Sequence, residues 1–390
     1  MNEKLFKLVN DINKQMGDNM VQCANEMPEM FRIKSHIPAI DWCTGGGFPV
    51  NRCIELFGPE SSGKTYNAMI AMREFQNTCW ETMIQNALIK VLTYKEKNLS
   101  VKFKDGSVGT QTFYIPDKLE YTTPKRPRLK NVVLIDMEGS YDVEWATELG
   151  IDSKRITRVV PDTGEHAIDI AEAFLKDEDT CLVVFDSVGA TRAAAEIEKS
   201  MEDQTMGLQA RFWNRASAKF QAALNVNTER HATMILINRA YSKVGLVFGD
   251  PEQIGGGTGI RYFKAVSLKF HPMKEIEGEI DGEKVTIGRN IRVQNKKNKT
   301  AKPHREAMYF FSLADDPSIN IKYAETDVPN DITELGVQIG LIEKKGNRYC
   351  FGRTEVNGRD NWVQTLRTKP TLLNSILNKF YENMKPKTKS

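Results

Sequence analysis

The residues with the clearest chemistry form one continuous run that reads GPESSGKT. The run fits the pattern G-x-x-x-x-G-K-[ST], in which two glycines let successive backbone N–H groups converge on phosphate oxygens. Lys64 would reach the β- and γ-phosphates of a nucleotide, and the Thr65 hydroxyl would ligate Mg²⁺. The run therefore predicts a nucleotide site, whose candidate ligands are Gly58, Pro59, Glu60, Ser61, Ser62, Gly63, Lys64 and Thr65.

Two acidic residues come after apolar runs that are typical of buried strands. Glu138 follows the run 132–136, and Asp186 directly follows the run 181–185. Ligands of open α/β sheets bind at the carboxyl ends of the strands, so both residues are expected at that edge. Glu138 is then placed to act as general base for a water that attacks the γ-phosphate, and Asp186 to hold Mg²⁺. Taken alone, a glutamate after a strand is more often a helix cap or a surface charge.

The elements around the loop match what such a site requires. Residues 53–57 predict a short strand before the loop, and residues 66–75 predict a helix after it, whose N-terminus favours phosphate. Another apolar run, 233–237, predicts a strand that ends at Asn238 and Arg239. Together these patterns predict an α/β fold with the strands in one sheet.

The chain between the loop helix and the strand at 132–136 is longer than a simple βαβ unit needs. Two strand-like stretches, 89–94 and 108–114, flank a turn at 104–107. They predict an inserted hairpin-like region over about 85–128. The basic stretch 123–130 is interpreted as a solvated surface connection, with nucleic-acid contact as the alternative.

The composition excludes several classes of protein. The chain has 390 residues, 40% of them hydrophobic, and a formal net charge of +3, so any DNA site must be local rather than a property of the whole surface. Its six cysteines form no C-x-x-C pair, which argues against a zinc site or a disulfide framework. No apolar run approaches the ~20 residues of a membrane span, and the N-terminus does not resemble a secretory signal. We expect a cytoplasmic protein without membrane contact.

The order and wording of the motifs resemble the RecA family of homologous-recombination ATPases. Besides GPESSGKT, the resemblance includes PDTGE at 161–165, MGLQAR at 206–211 and FGDPE at 248–252, and it extends from about residue 3 to about residue 380. It implies a RecA-type P-loop ATPase core at 36–318, with a central, mostly parallel sheet flanked by helices. An N-terminal helix and oligomerisation segment at 1–35 and a small C-terminal α/β domain with a basic tail at 319–390 would complete the chain. Because the sequence departs from cellular members in several places, it most resembles a divergent recombinase of a bacteriophage. Such a protein would act in the cytoplasm of the host.

The resemblance also implies roles for individual residues. Glu138 matches the catalytic glutamate of the family, and Asp142 and Trp145 match an acid and an aromatic that hold the adenine ring, although Trp145 replaces a more usual tyrosine. Arg239 occupies the place of the γ-phosphate sensor, where bacterial members have a glutamine. Two further residues, Lys297 and Lys299, match lysines that cross a subunit interface to the γ-phosphate of the neighbouring subunit.

Two segments, about 198–207 and about 240–257, resemble the DNA-binding loops of the family. They combine apolar side chains that could wedge between bases with glycines and cations suited to phosphates. Outside this context such glycine-rich stretches are usually plain flexible connections. The implied DNA-binding residues are Met201, Met206, Gly207, Arg211, Lys243, Val244, Phe248, Gly256 and Gly257.

The resemblance implies an ATP- and Mg²⁺-dependent recombinase that forms a helical homo-oligomeric filament on single-stranded DNA and pairs it with homologous double-stranded DNA. Single-strand-binding and loader proteins are candidate partners. One alternative is a RecA-fold helicase or other hexameric motor, which would lack the two DNA-binding segments. Another alternative is a filament or mediator that binds DNA under control of a nucleotide but does not catalyse hydrolysis. The presence of Glu138 argues against it.

Overall fold

A computed structural model describes residues 30–78, 80, 91–102, 108–120, 129–192, 194, 207–226, 232–242, 252–280, 283–317 and 319–384. The chain divides into two compact units, Met1–Phe31 and Arg32–Ser390. The helix predicted near the N-terminus lies outside the described residues. All elements given below belong to the second unit.

The described helices and strands alternate through the first two thirds of this unit, as the α/β prediction requires. The helices are α1 (Pro38–Thr44), α2 (Lys64–Gln76), α3 (Val143–Glu148), α4 (Gly164–Lys176), α5 (Leu208–Val226), α6 (Gly257–Phe263), α7 (Val328–Gln338), α8 (Arg359–Thr368) and α9 (Pro370–Met384). The strands are β1 (Arg32–Ile33), β2 (Phe48–Pro49), β3 (Cys53–Gly58), β4 (Val91–Lys102), β5 (Val108–Glu120), β6 (Asn131–Asp136), β7 (Ile156–Val159), β8 (Thr180–Asp186), β9 (Thr233–Ser242), β10 (Glu252–Ile254), β11 (Val266–Ile280), β12 (Glu283–Asn298), β13 (Glu306–Ser312), β14 (Glu343–Lys345), β15 (Arg348–Phe351) and β16 (Thr354–Asn357).

One large sheet organises the unit, with the strand order β13-β12-β11-β3-β9-β8-β6-β7. The six strands from β11 to β7 in this order are mutually parallel, whereas β12 and β13 pair antiparallel at one side and β10 pairs antiparallel with β9. Parallel strands bring their carboxyl ends to a single edge of the sheet. The prediction of a mostly parallel central sheet is confirmed.

Helices cover both faces of the sheet, which explains why β3 and β8 are buried along their whole length. Alternate residues of a strand point to opposite faces. Val133 and Val183 belong to a hydrophobic core with residues of α4, α5 and α6. Their chain neighbours Leu134 and Val184 instead line a cavity with Met69 of α2. The phosphate-loop helix therefore packs on one face, and the helices that flank the predicted DNA-binding segments pack on the other.

The region predicted as an insertion contains two long strands. β4 and β5 pair antiparallel, from Val91 opposite Glu120 to Lys102 opposite Val108. They are longer than the stretches 89–94 and 108–114 that the sequence pattern indicated, and they form a sheet of their own among the described strands.

The elements after residue 319 comprise α7, the three-stranded antiparallel sheet β14-β15-β16, and helices α8 and α9. Helix α9 packs back on the start of the described chain, where the Tyr381 hydroxyl donates to Asp41 Oδ2 at 2.6 Å. The boundaries 36–318 and 319–390 stay predictions. In the part of the chain that is described, no helix is both long and apolar enough to cross a membrane.

Candidate nucleotide and catalytic site

The phosphate loop connects β3 to α2, as its sequence predicted. Gly63 adopts φ +84° immediately before α2, and a side chain there would come within 3.0 Å of Ile291 Cδ1. Lys64 folds back across the loop, and its Nζ donates to the Pro59 carbonyl oxygen at 2.5 Å. The first N–H groups of α2 have no partner within the helix and so favour an anion. The local geometry is that of a phosphate cradle.

Burial lowers the pKa of Lys64, an effect that Asp186 counters and Arg239 strengthens. The ammonium group is thus partly removed from water, and in the described part of the chain no carboxylate forms an ion pair with it. Phosphate oxygens would supply the missing negative charge. This environment suits a residue that binds phosphates rather than one that stabilises the fold.

Two aspartates lie at the ends of neighbouring strands, and their pKa values are shifted in opposite directions. Asp136 of β6 and Asp186 of β8 are register partners. Although burial alone would raise it, the pKa of Asp136 is held below its usual value by hydrogen bonds from Arg158, whose Nη2 lies 2.7 Å from Oδ2. For Asp186, which is 7% exposed, burial and then the carboxylates of Glu138 and Asp136 raise the pKa to about 7. A cation bound beside Asp186 would favour the charged form of its carboxylate.

The chemistry around Asp186 fits Mg²⁺ bound together with a nucleotide. Thr65 and Asp186 line the same cavity. Among the described residues, no group of three His, Cys, Asp or Glu side chains could hold a metal ion by itself. Mg²⁺ usually takes only one or two protein carboxylates and completes its shell with waters and phosphates. One hydroxyl and one carboxylate are thus a sufficient protein contribution.

Glu138 is held by a side chain of β9 and by one that directly follows β8. Arg239 Nη2, on β9, lies 2.9 Å from Glu138 Oε1. The Ser187 hydroxyl, directly after β8, donates to the same oxygen. The structure therefore brings Glu138, Arg239, Asp186 and Lys64 together. The sequence predicted this edge of the sheet for Glu138 and Asp186. Ser187 was missed, and only its position after a strand that ends in aspartate could have indicated it.

The two predicted adenine contacts lie at the start of α3. Asp142 caps this helix, with its Oδ1 accepting from the backbone N–H groups of Glu144 at 2.8 Å and Trp145 at 3.1 Å. The Trp145 ring is partly buried, and its Nε1 has no hydrogen-bond partner among the described residues. The capping explains why Asp142 stands there, and its role toward a base stays a prediction.

The ends of the two predicted DNA-binding segments meet. A Cβ on Gly257, at the start of α6, would lie 3.2 Å from the Cβ of Ala210 near the start of α5. Gly207 and Arg211 belong to the same turn, since the Arg211 N–H donates to the Gly207 carbonyl oxygen at 3.1 Å. Five of the predicted DNA-binding residues lie outside the described residues: Met201, Met206, Lys243, Val244 and Phe248.

The second segment is more regular at its ends than a plain loop. Residues 240–242 extend β9, and they pair antiparallel with β10, so that Ser242 is opposite Glu252. Gly256, with φ +87°, follows β10 and leads into α6. The ends of the segment are thereby joined by backbone hydrogen bonds, which the glycine-rich sequence did not reveal.

Lys297 and Lys299 lie against the C-terminal end of α6. Lys297 Nζ donates to the Arg261 carbonyl oxygen at 2.5 Å, and Lys299 Nζ donates to that of Tyr262 at 2.9 Å. Burial, followed by the charges of Lys299 and Lys264, lowers the pKa of Lys297 to about 8. Within one chain, both lysines cap this helix.

Known proteins are similar to this chain over most of its length. A family model described as the RecA N-terminal domain matches residues 3–109 and 119–314. The protein RecA of Mesomycoplasma hyopneumoniae is 30% identical over 393 residues, which cover 99% of this chain and 96% of that protein. The protein RecA of Acholeplasma laidlawii is 31% identical over 379 residues, 96% of this chain and 94% of its own. A solved structure of the RadB recombinase covers 75% of this chain with 14% identity and a TM-score of 0.44.

Proposed function

Because the chain belongs to the RecA family, we propose that it is an ATP-dependent DNA recombinase. It would assemble as a helical filament on single-stranded DNA, pair that strand with homologous double-stranded DNA, and hydrolyse ATP in response to DNA. The observation that carries the proposal is the convergence of Lys64, Glu138, Asp186 and Arg239 beside the phosphate loop. This set provides a phosphate cation, a candidate base, a metal ligand and a second cation.

Each of these groups has a separate task in phosphoryl transfer. Lys64 and the N–H groups of the loop would bind phosphate oxygens, and Thr65 and Asp186, which line one cavity, would ligate Mg²⁺. Mg²⁺ supplies positive charge to the phosphate oxygens. Glu138, oriented by Ser187 and Arg239, accepts the proton of the attacking water. Such positioning and charge stabilisation account for most of the catalysis in this class of reaction.

Arg239 would link the bound nucleotide to the DNA-binding segment. Its guanidinium contacts Glu138, and its backbone N–H donates to Asn238 Oδ1 at 2.9 Å. The same strand continues directly into the segment 240–257. A γ-phosphate would compete with Glu138 for a guanidinium that suits both anions. That competition would link ATP occupancy to the conformation of the DNA-binding segment.

The filament supplies the remaining parts of the site. Lys297 and Lys299 would reach the nucleotide of the neighbouring subunit and stabilise charge in the transition state. Asp142 and Trp145 would hold adenine, since an indole face can stack on a purine. The N-terminal helix would dock on the adjacent protomer. The phage origin, the host-cytoplasm location and the loading partners stay predictions.

The proposal is tested by measuring ATP hydrolysis with and without single-stranded DNA. We expect DNA to stimulate the wild type, and Glu138→Gln to lower the stimulated kcat by about 10²- to 10⁴-fold, the usual contribution of a general base. Glu144→Gln is the matched control, because Glu144 is exposed and lies in the first turn of α3. An absence of DNA stimulation in the wild type would refute the recombinase proposal.

The DNA products of the reaction distinguish a recombinase from a helicase or other motor. A supercoiled duplex and a homologous single strand should give a joint molecule that depends on ATP. Unwinding of a duplex without joint molecules would indicate a helicase instead. Joint molecules that form equally well with Glu138→Gln would be expected if binding of ATP, rather than its hydrolysis, drives pairing.

A further inference from the structure

Glu55 is an acidic residue in the middle of β3, the strand that leads into the phosphate loop. Its side chain is fully buried, and both carboxylate oxygens accept hydrogen bonds. Oε1 accepts from Asn238 Nδ2 at 3.1 Å on one neighbouring strand. Oε2 accepts from Ser267 Oγ at 2.6 Å on the other, and also from Lys264 Nζ. A charged residue is thus embedded beneath the nucleotide site.

The partners of Glu55 hold both ends of helix α6. Asn238 Nδ2 also donates to the Gly255 carbonyl oxygen at 3.0 Å, just before the helix. Lys264 immediately follows the helix as its C-cap residue and is itself buried. Through Asn238 and Lys264, one carboxylate therefore ties the beginning and the end of α6 to the strand of the phosphate loop.

Helix α6 also adjoins the predicted DNA-binding segment and the two lysines predicted to reach a nucleotide. The segment 240–257 ends at its first residue, and Lys297 and Lys299 donate to carbonyl oxygens of its last turn. On the nucleotide side, Asn238 accepts from the N–H of Arg239, which contacts Glu138. A continuous polar chain therefore connects the end of the DNA-binding segment to the candidate base.

Stability alone is a weak reason for such a group. Two buried charges lose hydration that their attraction often fails to restore, and apolar residues of similar volume can serve a core as well. A buried, fully hydrogen-bonded network does fix the relative positions of the segments that it joins. The segments joined here are the phosphate-loop strand, the sensor strand and α6.

We propose that Glu55 is a positioning residue that couples nucleotide in the phosphate loop to DNA on the segment 240–257, by fixing both ends of α6 to β3. The inference rests on the proposed function. Nucleotide that shifts Arg239 and Asn238 changes the hydrogen bond to Gly255, while the Lys264 contact keeps the other end of the helix fixed. Because its C-terminal end is held, α6 passes this change to residues 252–256, the described end of the DNA-binding segment that leads into the helix.

The test is the factor by which a non-hydrolysable ATP analogue with Mg²⁺ tightens binding of a fluorescent single-stranded oligonucleotide. This coupling factor is typically about 5 to 150 in proteins with two linked sites, and we expect the wild type to lie in that range. Glu55→Gln offers one acceptor oxygen where the carboxylate offers two, so the bonds to Asn238 and Lys264 cannot both persist and one end of the helix is released. We expect its coupling factor to fall at least about fivefold, toward 1.

A double variant separates positioning from simple stabilisation. Glu55→Gln with Lys264→Met leaves no buried charge, so the melting temperature should recover relative to Glu55→Gln. The tie between β3 and the end of α6 remains absent, so the coupling factor should stay low. Because coupling is a ratio of affinities of the folded protein, lost stability by itself does not change it.

Asp327→Asn is the matched control. It removes the charge of a buried aspartate that pairs with Arg367, in elements far along the chain from α6. It should lower the melting temperature and leave the coupling factor unchanged. Wild-type coupling in Glu55→Gln, or its recovery in the double variant together with stability, would overturn the inference. If the nucleotide does not change the DNA affinity of the wild type, the proposed function is refuted, and this inference with it.

Discussion

Replacing Lys297 by arginine should extend ATP hydrolysis to higher pH. Burial and the charges of Lys299 and Lys264 lower the pKa of Lys297 to about 8. A single group with that pKa is charged in about nine-tenths of molecules at pH 7 and in about one-tenth at pH 9. If catalysis in the neighbouring site needs this charge, wild-type kcat/KM should fall about tenfold over that range. An arginine stays charged throughout, so Lys297→Arg should lose little activity by pH 9.

Unfolding would not mimic this result, because the same shift acts on stability in the opposite direction. The usual pKa of lysine is 10.5, and the folded value is about 8. Between these values the unfolded chain binds more protons than the folded one, so the contribution of Lys297 to stability rises with pH. The shifted pKa of Lys297 therefore explains a fall in activity at pH 9 through loss of charge at the site and not through a loss of stability.

The assay is ATP hydrolysis on saturating single-stranded DNA at low ATP, from pH 6.5 to 9.5, since kcat/KM follows groups of the enzyme free of substrate. Lys299→Arg is the matched control, because Lys299 is exposed and also donates to the end of α6. It should keep the alkaline limb of the wild type. If Lys297→Arg loses activity in parallel with the wild type, Lys297 is not the titrating cation and its assigned role is wrong.

Three further variants test single contacts. Tyr309→Phe removes the hydroxyl that accepts from Asn67 Nδ2 at 2.7 Å. Urea unfolding should show that the free energy of unfolding falls by about 0.5–1.5 kcal/mol. Arg158→Gln should lower the urea midpoint more at pH 7 than at pH 3. Burial alone would raise the pKa of Asp136, but the hydrogen bonds from Arg158 hold it below 3.8. Their contribution to folding stability is therefore present above pH 3.8 and is lost as the pH falls below it. Gly257→Ala should weaken oligonucleotide binding measured by anisotropy, because φ is +65° and the new Cβ would crowd Ala210; unchanged affinity would contradict the assigned role of this turn.

Much of the nucleotide site could be predicted because its parts are local. The phosphate loop is a continuous run, and the acidic residues lie at or just after the ends of strands, so their positions at one sheet edge follow from parallel topology alone. The sheet confirms that topology. The lengths of β4 and β5 and the pairing of β9 with β10 were not predicted, since polar and glycine-bearing stretches give weak strand patterns.

Contacts between distant residues could not be predicted in the same way. Glu55 read as one position of a short strand, and Lys264, 209 residues later, gave no signal of its own. Likewise, Ser187 meets Glu138 only because β8 lies beside β6. A register shifted by one residue would send each side chain to the opposite face, so such pairs depend on the assembled sheet.

By itself, the sequence determined the family, the α/β class and the phosphate loop, because consecutive residues set the local backbone conformation and the hydrophobic pattern that these features need. Only the tertiary structure decided that Arg239 contacts Glu138 and that Asn238 stands between Glu55 and Gly255. The reason is physical: β3 and β9 are adjacent in the sheet although they are far apart in the chain. Hydrogen bonds reach only about 3 Å, so strand order and register select which polar groups can act on one another.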